Sequence, residues 1–372
     1  MLEWLHRVSV SVELLLADCR QSNAPRVMMV ILKPARMLEM RQKMTITNIR
    51  QRDLKQWLFA VLLAWLLACP WGAARAETCS VTSPAPDFGS VDPITLAAVS
   101  TTATMTVTCT WSASTSTPNV LVCLNLGSPP PRYLTNGANQ MQYDLYQDSG
   151  HTLSWGSTYD GTTPISFTLV KPGSGTTANA NVTIYGQIAS NQPTVPTVGN
   201  ASTVYSQTFG GTLTSLNYNF YSLTATPCAS QASAGTFPFT VNATVVNNCF
   251  ISATDVAFGS TGLIQSALTA TGTISAQCTN GDAFQIALNG GASGNVAARA
   301  MQPAGGGGAV NYQLYLDAAH STIWGDGTAG TSTATGTGSG LSQSLTVYGQ
   351  VPVQTTPAPG TYSDTITATI TF

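Results

Sequence analysis

"YDLYQDSGHTLSWG" occupies residues 143–156 and "YQLYLDAAHSTIWG" occupies residues 312–325, an offset of 169. The match extends well beyond these stretches. "CSVTSPAPDFGS" from Cys79 pairs with "CFISATDVAFGS" from Cys249 at an offset of 170, and Cys109 pairs with Cys278 at 169. "VTIYGQI" from Val182 pairs with "LTVYGQV" from Leu345 at 163, and "YSQT" from Tyr205 pairs with "YSDT" from Tyr362. Landmarks in one order with slowly drifting offsets mean two copies of one domain separated by loop insertions and deletions. The 372 residues leave ample chain for a core in each copy.

Each copy reads as strands. "ATMTVTC", "QYDLYQD", "ANVTIYGQI", "NYQLYLD", "SLTVYGQV" and "DTITATITF" alternate polar and apolar residues, as half-buried strands do. Turn material such as "SPPP", "YDGT", "KPGSG" and "GDGTAGT" separates them. Short, regularly spaced strands in a cysteine-paired chain predict all-β, Ig-like antiparallel sandwiches in tandem.

The first 76 residues have a different character. Of 14 Lys and Arg, 11 lie at or before Arg75, leaving Arg132, Lys171 and Arg299; of 16 Asp and Glu, five precede Glu77. From Glu77 onward the balance is therefore 3 − 11 = −8. Such a chain offers no basic face for phosphates, and nucleic acid is not an expected partner. From Met44, a basic segment leads into an apolar run starting at Trp57, and "ARA" precedes Glu77, the pattern of a secretory signal peptide. Residues 1–43 are read as an over-extended start and 44–76 as the signal peptide. "LLAC" ending at Cys69 has an alternative reading as a lipoprotein cleavage site.

Beyond the leader, six cysteines remain: Cys79, Cys109, Cys123, Cys228, Cys249 and Cys278. An even set in an exported chain reads as disulfides. The repeat makes Cys79–Cys109 and Cys249–Cys278 equivalent bridges, each typically worth about 2–4 kcal/mol. Cys123 and Cys228 are left to pair within the first copy. The expected divisions are a first domain at 77–228, a linker with the first strand of the second domain at 229–248, and a second domain at 249–372.

Catalytic chemistry finds little support. His151 and His320 fall at the same place in the repeat, where a β-turn is expected, and a base needed once would not be copied twice. No nucleophile elbow, close carboxylate pair or metal-ligand spacing is legible, so no enzyme and no cofactor are expected. "GTGSG" at 336–340 opens no helix and carries no following Lys, unlike a phosphate loop.

The Cys…"FGS" opening, "YQLYLD…HSTIWGDG", "LTVYGQVP" and the terminal "PGTYSDTITATITF" resemble the spore coat protein U domain, in both halves. Domains of that family resemble subunits of archaic, Csu-type chaperone–usher pili of Gram-negative bacteria. The resemblance implies an incomplete sandwich, covered first by a periplasmic chaperone and assembled at an outer-membrane usher. A strand donated by an adjacent pilin then fills it, giving main-chain hydrogen bonds and a register of alternate side chains. Cleavage after Ala76 would leave only Glu77 and Thr78 before Cys79, too short a segment to donate. The lengthened end of the first copy, from Tyr205 to Cys228, is expected to supply that domain's own last strand, while the second lacks its final strand.

These expectations describe a tip adhesin at the cell surface, attaching cells to abiotic or host surfaces and promoting biofilm. The alternatives are a minor structural pilus or coat subunit, an outer-membrane barrel and a sandwich-borne glycosidase. Loops of the first copy are the expected binding elements. They carry Trp111 in "CTWSASTSTPN", Pro130, Tyr133 and Leu134 in "GSPPPRYLTNG", and Val195, Pro196 and Val198 in "SNQPTVPTVGN".

Overall fold

The computed structural model describes residues 77–372. The expectations for the over-extended start, the signal peptide and Cys69 lie outside the described residues. Every regular element is a strand or a short 3₁₀ turn. The first sandwich opens with β1 (Thr78–Val81), β2 (Asp87–Val91), β3 (Val99–Thr110), β4 (Asn119–Leu126), β5 (Arg132–Asn136) and β6 (Asn139–Tyr146). It continues with β7 (Ile165–Val170), β8 (Thr177–Ile188), β9 (Thr203–Phe209), β10 (Thr214–Tyr221), β11 (Ser233–Gly235) and β12 (Phe239–Val245). Eight of these form one sheet in the order β1-β3-β8-β6-β5-β9-β12-β2, and β11-β10-β4-β7 form the facing sheet.

Strand alternation builds the core between the sheets. Along β3, Met105, Val107 and Cys109 point inward while their neighbours stay wetter. They meet Val120, Val122 and Leu124 of β4 in a single apolar cluster with Ile184 of β8 and Leu145 of β6. Burial at this scale is the main term holding a sandwich together.

The second sandwich repeats the plan with fewer strands. These are β13 (Cys249–Ala253), β14 (Leu268–Cys278), β15 (Ala283–Leu288), β16 (Arg299–Pro303) and β17 (Val310–Tyr315). After them come β18 (Ala334–Thr337), β19 (Gln343–Val351), β20 (Tyr362–Ser363) and β21 (Ala368–Thr371). The sheets run β13-β14-β19-β17-β16-β20 and β18-β15-β21. In both copies the cysteine pair sits directly opposed on neighbouring antiparallel strands, Cys79 facing Cys109 and Cys249 facing Cys278. Both pairs are bridged, and Cys123 on β4 is bridged to Cys228.

One division differs from the sequence reading. β12, placed by the sequence at the start of the second domain, belongs to the first sheet. It pairs antiparallel with β9 from Phe239–Phe209 to Val245–Thr203, and parallel with β2. Phe237, Phe239, Val241, Ala243 and Val245 are all buried in the first core. The last strand of the first sandwich therefore comes from beyond Cys228, while the lengthened stretch before it forms β10 of the other sheet. Periodicity alone could not distinguish these cases, because an alternating strand fits either sheet.

In the second sandwich β20 is the sheet's edge, and no described strand occupies the place of β12. The exposures follow. Phe88 and Tyr205 are buried in the first copy, whereas their counterparts Phe258 and Tyr362 are only partly covered. "DTITATITF" is regular only over Ala368–Thr371, as β21. A fragment ending at Cys228 is therefore expected to fail to fold, and one ending at Asn248 to unfold cooperatively. In the longer fragment, Phe239→Ala should cost about 3–5 kcal/mol by denaturant titration.

Candidate functional site

The repeated stretch that opened the sequence is a staple between the two sheets. The Trp155 indole N–H donates to the carbonyl of Leu124 on β4 at 2.9 Å, and that of Trp324 to Ile286 on β15 at 2.9 Å. Beside each tryptophan lies a fully buried arginine. Arg132 donates to the carbonyls of Ser128 (2.7 Å) and Trp155 (2.6 Å) and pairs with Asp144. Arg299 donates to the carbonyls of Asn289 (2.9 Å) and Trp324 (2.9 Å) and to the Gln313 amide oxygen. The second copy thus neutralises no charge where the first has an ion pair, and burial lowers the pKa of Arg299. Sequence reasoning missed both arginines. The available signal was that two of three basic residues after Glu77 stand 167 apart, close to the repeat offset.

The histidines are turn residues. His151 and His320 each adopt φ of 54° and lie edge-on to Tyr146 and Tyr315, with ring centroids 5.1 Å apart in both copies. Asp148 and Asp317 close those turns by accepting from the amides of Leu153 and Thr322 at 2.7 Å. Backbone hydrogen bonds hold both carboxyls below their ordinary pKa. Among the described residues, no three of His, Cys, Asp and Glu gather as a metal site. A cleft of about 580 Å³ lies between Asn125, Ser157, Tyr159 and Leu213. Two of its polar groups are engaged by residues around it: the Asn125 side-chain oxygen accepts from the Thr158 amide at 2.9 Å, and the Tyr159 hydroxyl accepts from Asn217 at 2.8 Å.

The expected binding loops do not come together as one surface. Trp111, at 1 % exposure, is core, packed edge-on against Phe220. Leu134 and Val195 are buried too, because both face inward from the large sheet and its adjoining loop. Tyr133 is half-buried on β5, and Pro130 stands exposed on the turn before it. Pro196 and Val198 belong to a loop that meets the second sandwich. The Thr197 amide donates to the Asn280 carbonyl at 3.1 Å, and the Asn280 side chain donates to the Thr194 carbonyl at 2.7 Å. Asn200 exchanges hydrogen bonds with the backbone of Ala283 at 2.8 and 2.9 Å. That loop is a seat for the second domain, not a free tip.

The free end follows from the repeat. Residues 279–282 and 338–342 of the second sandwich, which join β14 to β15 and β18 to β19, meet the first domain. Their counterparts in the first copy are the connections at 111–118 and 171–176, so these point away from the junction. Leu223, in the connection after β10, is 94 % exposed, and Val170 beside β4's first residue is 58 % exposed. Neither was singled out in the sequence, where an isolated Leu or Val carries no signal of exposure.

A family model described as the Spore Coat Protein U domain matches residues 67–212 and again residues 235–369. The chain belongs to this family, in two copies. Protein U of Myxococcus xanthus is 39 % identical over 108 residues, covering 27 % of this chain and 59 % of that protein. The CsuC–CsuE chaperone–tip adhesion subunit pre-assembly complex, from archaic chaperone–usher Csu pili of Acinetobacter baumannii, is similar in structure. It aligns at a TM-score of 0.45 and 15 % identity over 79 % of this chain and 100 % of that one. CfaE, the adhesive subunit of CFA/I fimbria of enterotoxigenic Escherichia coli, aligns at 0.29 and 9 % identity over 79 % of this chain and 93 % of that one.

Two measurements test the staple. Arg132→Met should cost about 3–5 kcal/mol, because it strands a buried carboxylate. Arg299→Met should cost less, since its partner Gln313 is neutral. The turn carboxylates give a pH dependence. Their folded pKa lies below the unfolded one, so their contribution is present above the ordinary carboxylate range and lost as pH falls through the lowered value. Denaturant midpoints should drop with acid, and more shallowly in Asp317→Asn.

Proposed function

We propose that this chain is the terminal, adhesive subunit of a chaperone–usher pilus, carrying cells onto abiotic or host surfaces and supporting biofilm growth. The observation that carries the reading is asymmetric completion. The second family match begins at residue 235, ahead of β12, yet β12 hydrogen-bonds into the first sandwich. The leading segment of one copy fills the copy before it, within a single chain. An adjacent pilin would do the same for the second sandwich by laying its own leading strand along β20. Until then a periplasmic chaperone would cover the groove and deliver the subunit to an outer-membrane usher.

The same geometry supports an end position. The first sandwich is complete and has no groove to offer, and β1 begins one residue after Glu77, where the mature chain is expected to start. Contact with a surface then falls to the outer connections, where Leu223 and Val170 stand exposed. This relocates the adhesive groups from Trp111, Leu134 and Val195, which are core.

Immunogold labelling of sheared fibres should find this chain at fibre ends; labelling along the shaft would contradict an end position. Leu223→Ser should reduce attachment of piliated cells several-fold at unchanged fibre number. Unchanged attachment would remove that loop from the adhesive surface.

A further inference from the structure

The contact between the two sandwiches contains one buried carboxyl group. Asp282, at 0 % exposure, lies at the end of the second sandwich that meets the first. One of its oxygens accepts a hydrogen bond from the Thr197 hydroxyl across the junction. The other oxygen has no hydrogen-bond partner among the described residues. An ionised carboxylate in that position would be buried, half-satisfied and uncompensated, which is the costliest state for such a group.

Among the described residues, no cation is available to it. Arg132 is held by Asp144 and the Trp155 carbonyl, and Arg299 by Gln313 and the Trp324 carbonyl, each inside its own sandwich. Lys171 sits at the outer end, where its amide donates to the Pro118 carbonyl at 2.8 Å. The segments packed on Asp282 are the 194–200 loop, the 336–340 glycine turn and the 246–248 linker, and none holds a titratable side chain. A carboxylate of the first sandwich also meets the linker, from the turn after β2. There Asp92 accepts from the Asn248 side chain at 2.7 Å.

The seat around Asp282 is tight. Gly340 has φ of 77°, and a Cβ placed there would lie 1.7 Å from the Pro193 carbonyl oxygen. Gly281, at φ of 86°, would bring a Cβ to 3.2 Å from the Thr197 carbonyl oxygen. Of the "GTGSG" turn, Gly340 is the glycine on which the first sandwich's loop rests, while Gly336 and Gly338 make room for Phe284 and the Thr279 carbonyl of their own sandwich. Water cannot reach the unpartnered oxygen without the loop lifting.

We propose that Asp282 is a proton-operated lock between the two sandwiches. With a solvent proton bound, the neutral carboxyl keeps the Thr197 bond and the junction stays closed. With the proton returned to solvent, the carboxylate must be hydrated, and the 194–200 loop lifts from the second sandwich. Burial raises the carboxyl's pKa, so the sign is fixed. Junction stability is fully present below the ordinary carboxylate value and is lost as pH rises through the raised value. Acid stiffens the junction and higher pH lets it hinge. This inference stands on the junction alone and holds whatever fills the second groove.

The test is a distance distribution in the exported chain as isolated from the cell envelope. Spin labels attached through non-cysteine chemistry at positions 174 and 304, both exposed, report one on each sandwich. The distribution should be narrow near pH 4, about the ordinary carboxylate value, and broaden several-fold in width toward neutral pH. Asp282→Asn, a permanently neutral replacement, should stay narrow throughout. Thr197→Val leaves Asp282 in place, removes the cross-junction bond and should be broad throughout. A wild-type width that does not change with pH overturns the lock, as does an Asp282→Asn chain that still broadens like the wild type.

Discussion

A sandwich of this plan is stable only when a strand lies beside β9, between it and β2. The first copy has that strand as β12, whose inward residues run from Phe239 to Val245 in its own core. The second copy, among the described residues, has β20 as a bare edge and its Phe258 and Tyr362 partly open. An unpaired edge over an apolar face is a template for another strand. The two halves share a plan, a disulfide and a staple, yet one is closed and the other, among the described residues, keeps an open edge. The proposed placement at a fibre end rests on this difference.

The staple explains how a chain so poor in charge keeps its two sheets in register. An indole N–H reaches one sheet, and a buried guanidinium gathers carbonyls from both sides of the same corner. Guanidinium suits this task, since its fixed fork of donors satisfies several carbonyls at once. The first copy answers the charge with an ion pair to Asp144; the second gives the guanidinium the Gln313 amide oxygen in that place. Either solution preserves the corner, so the repeat can drift at that position.

Much of this was legible before any coordinates. The drifting offsets gave two domains, and the cysteines repeated at nearly the same offset gave two equivalent bridges, which the structure shows between facing residues of adjacent strands. The place of His151 and His320 in the repeat marked them as turn residues, as their left-handed backbone shows. The affiliation of β12 was not legible, since alternation records which face is buried but not which sheet is joined. Burial of Trp111, Leu134 and Val195 was hidden for a related reason: an apolar residue near a turn looks the same whether it points in or out. The 190–200 loop read as a binding element, and only the spatial proximity of Asn280 and Asp282 shows it to be a seat.

Backbone amide hydrogen exchange on the intact chain tests the central claim most directly. The claim is that one sandwich is complete and its copy is a strand short. Amides of β9 and β12 in the first copy should exchange only through global opening of that domain, and those around β20 and β21 should exchange orders of magnitude faster. An extended peptide that reproduces the pattern of β12 should slow the second set and leave the first untouched. Equal protection of both copies in the isolated chain would contradict the account.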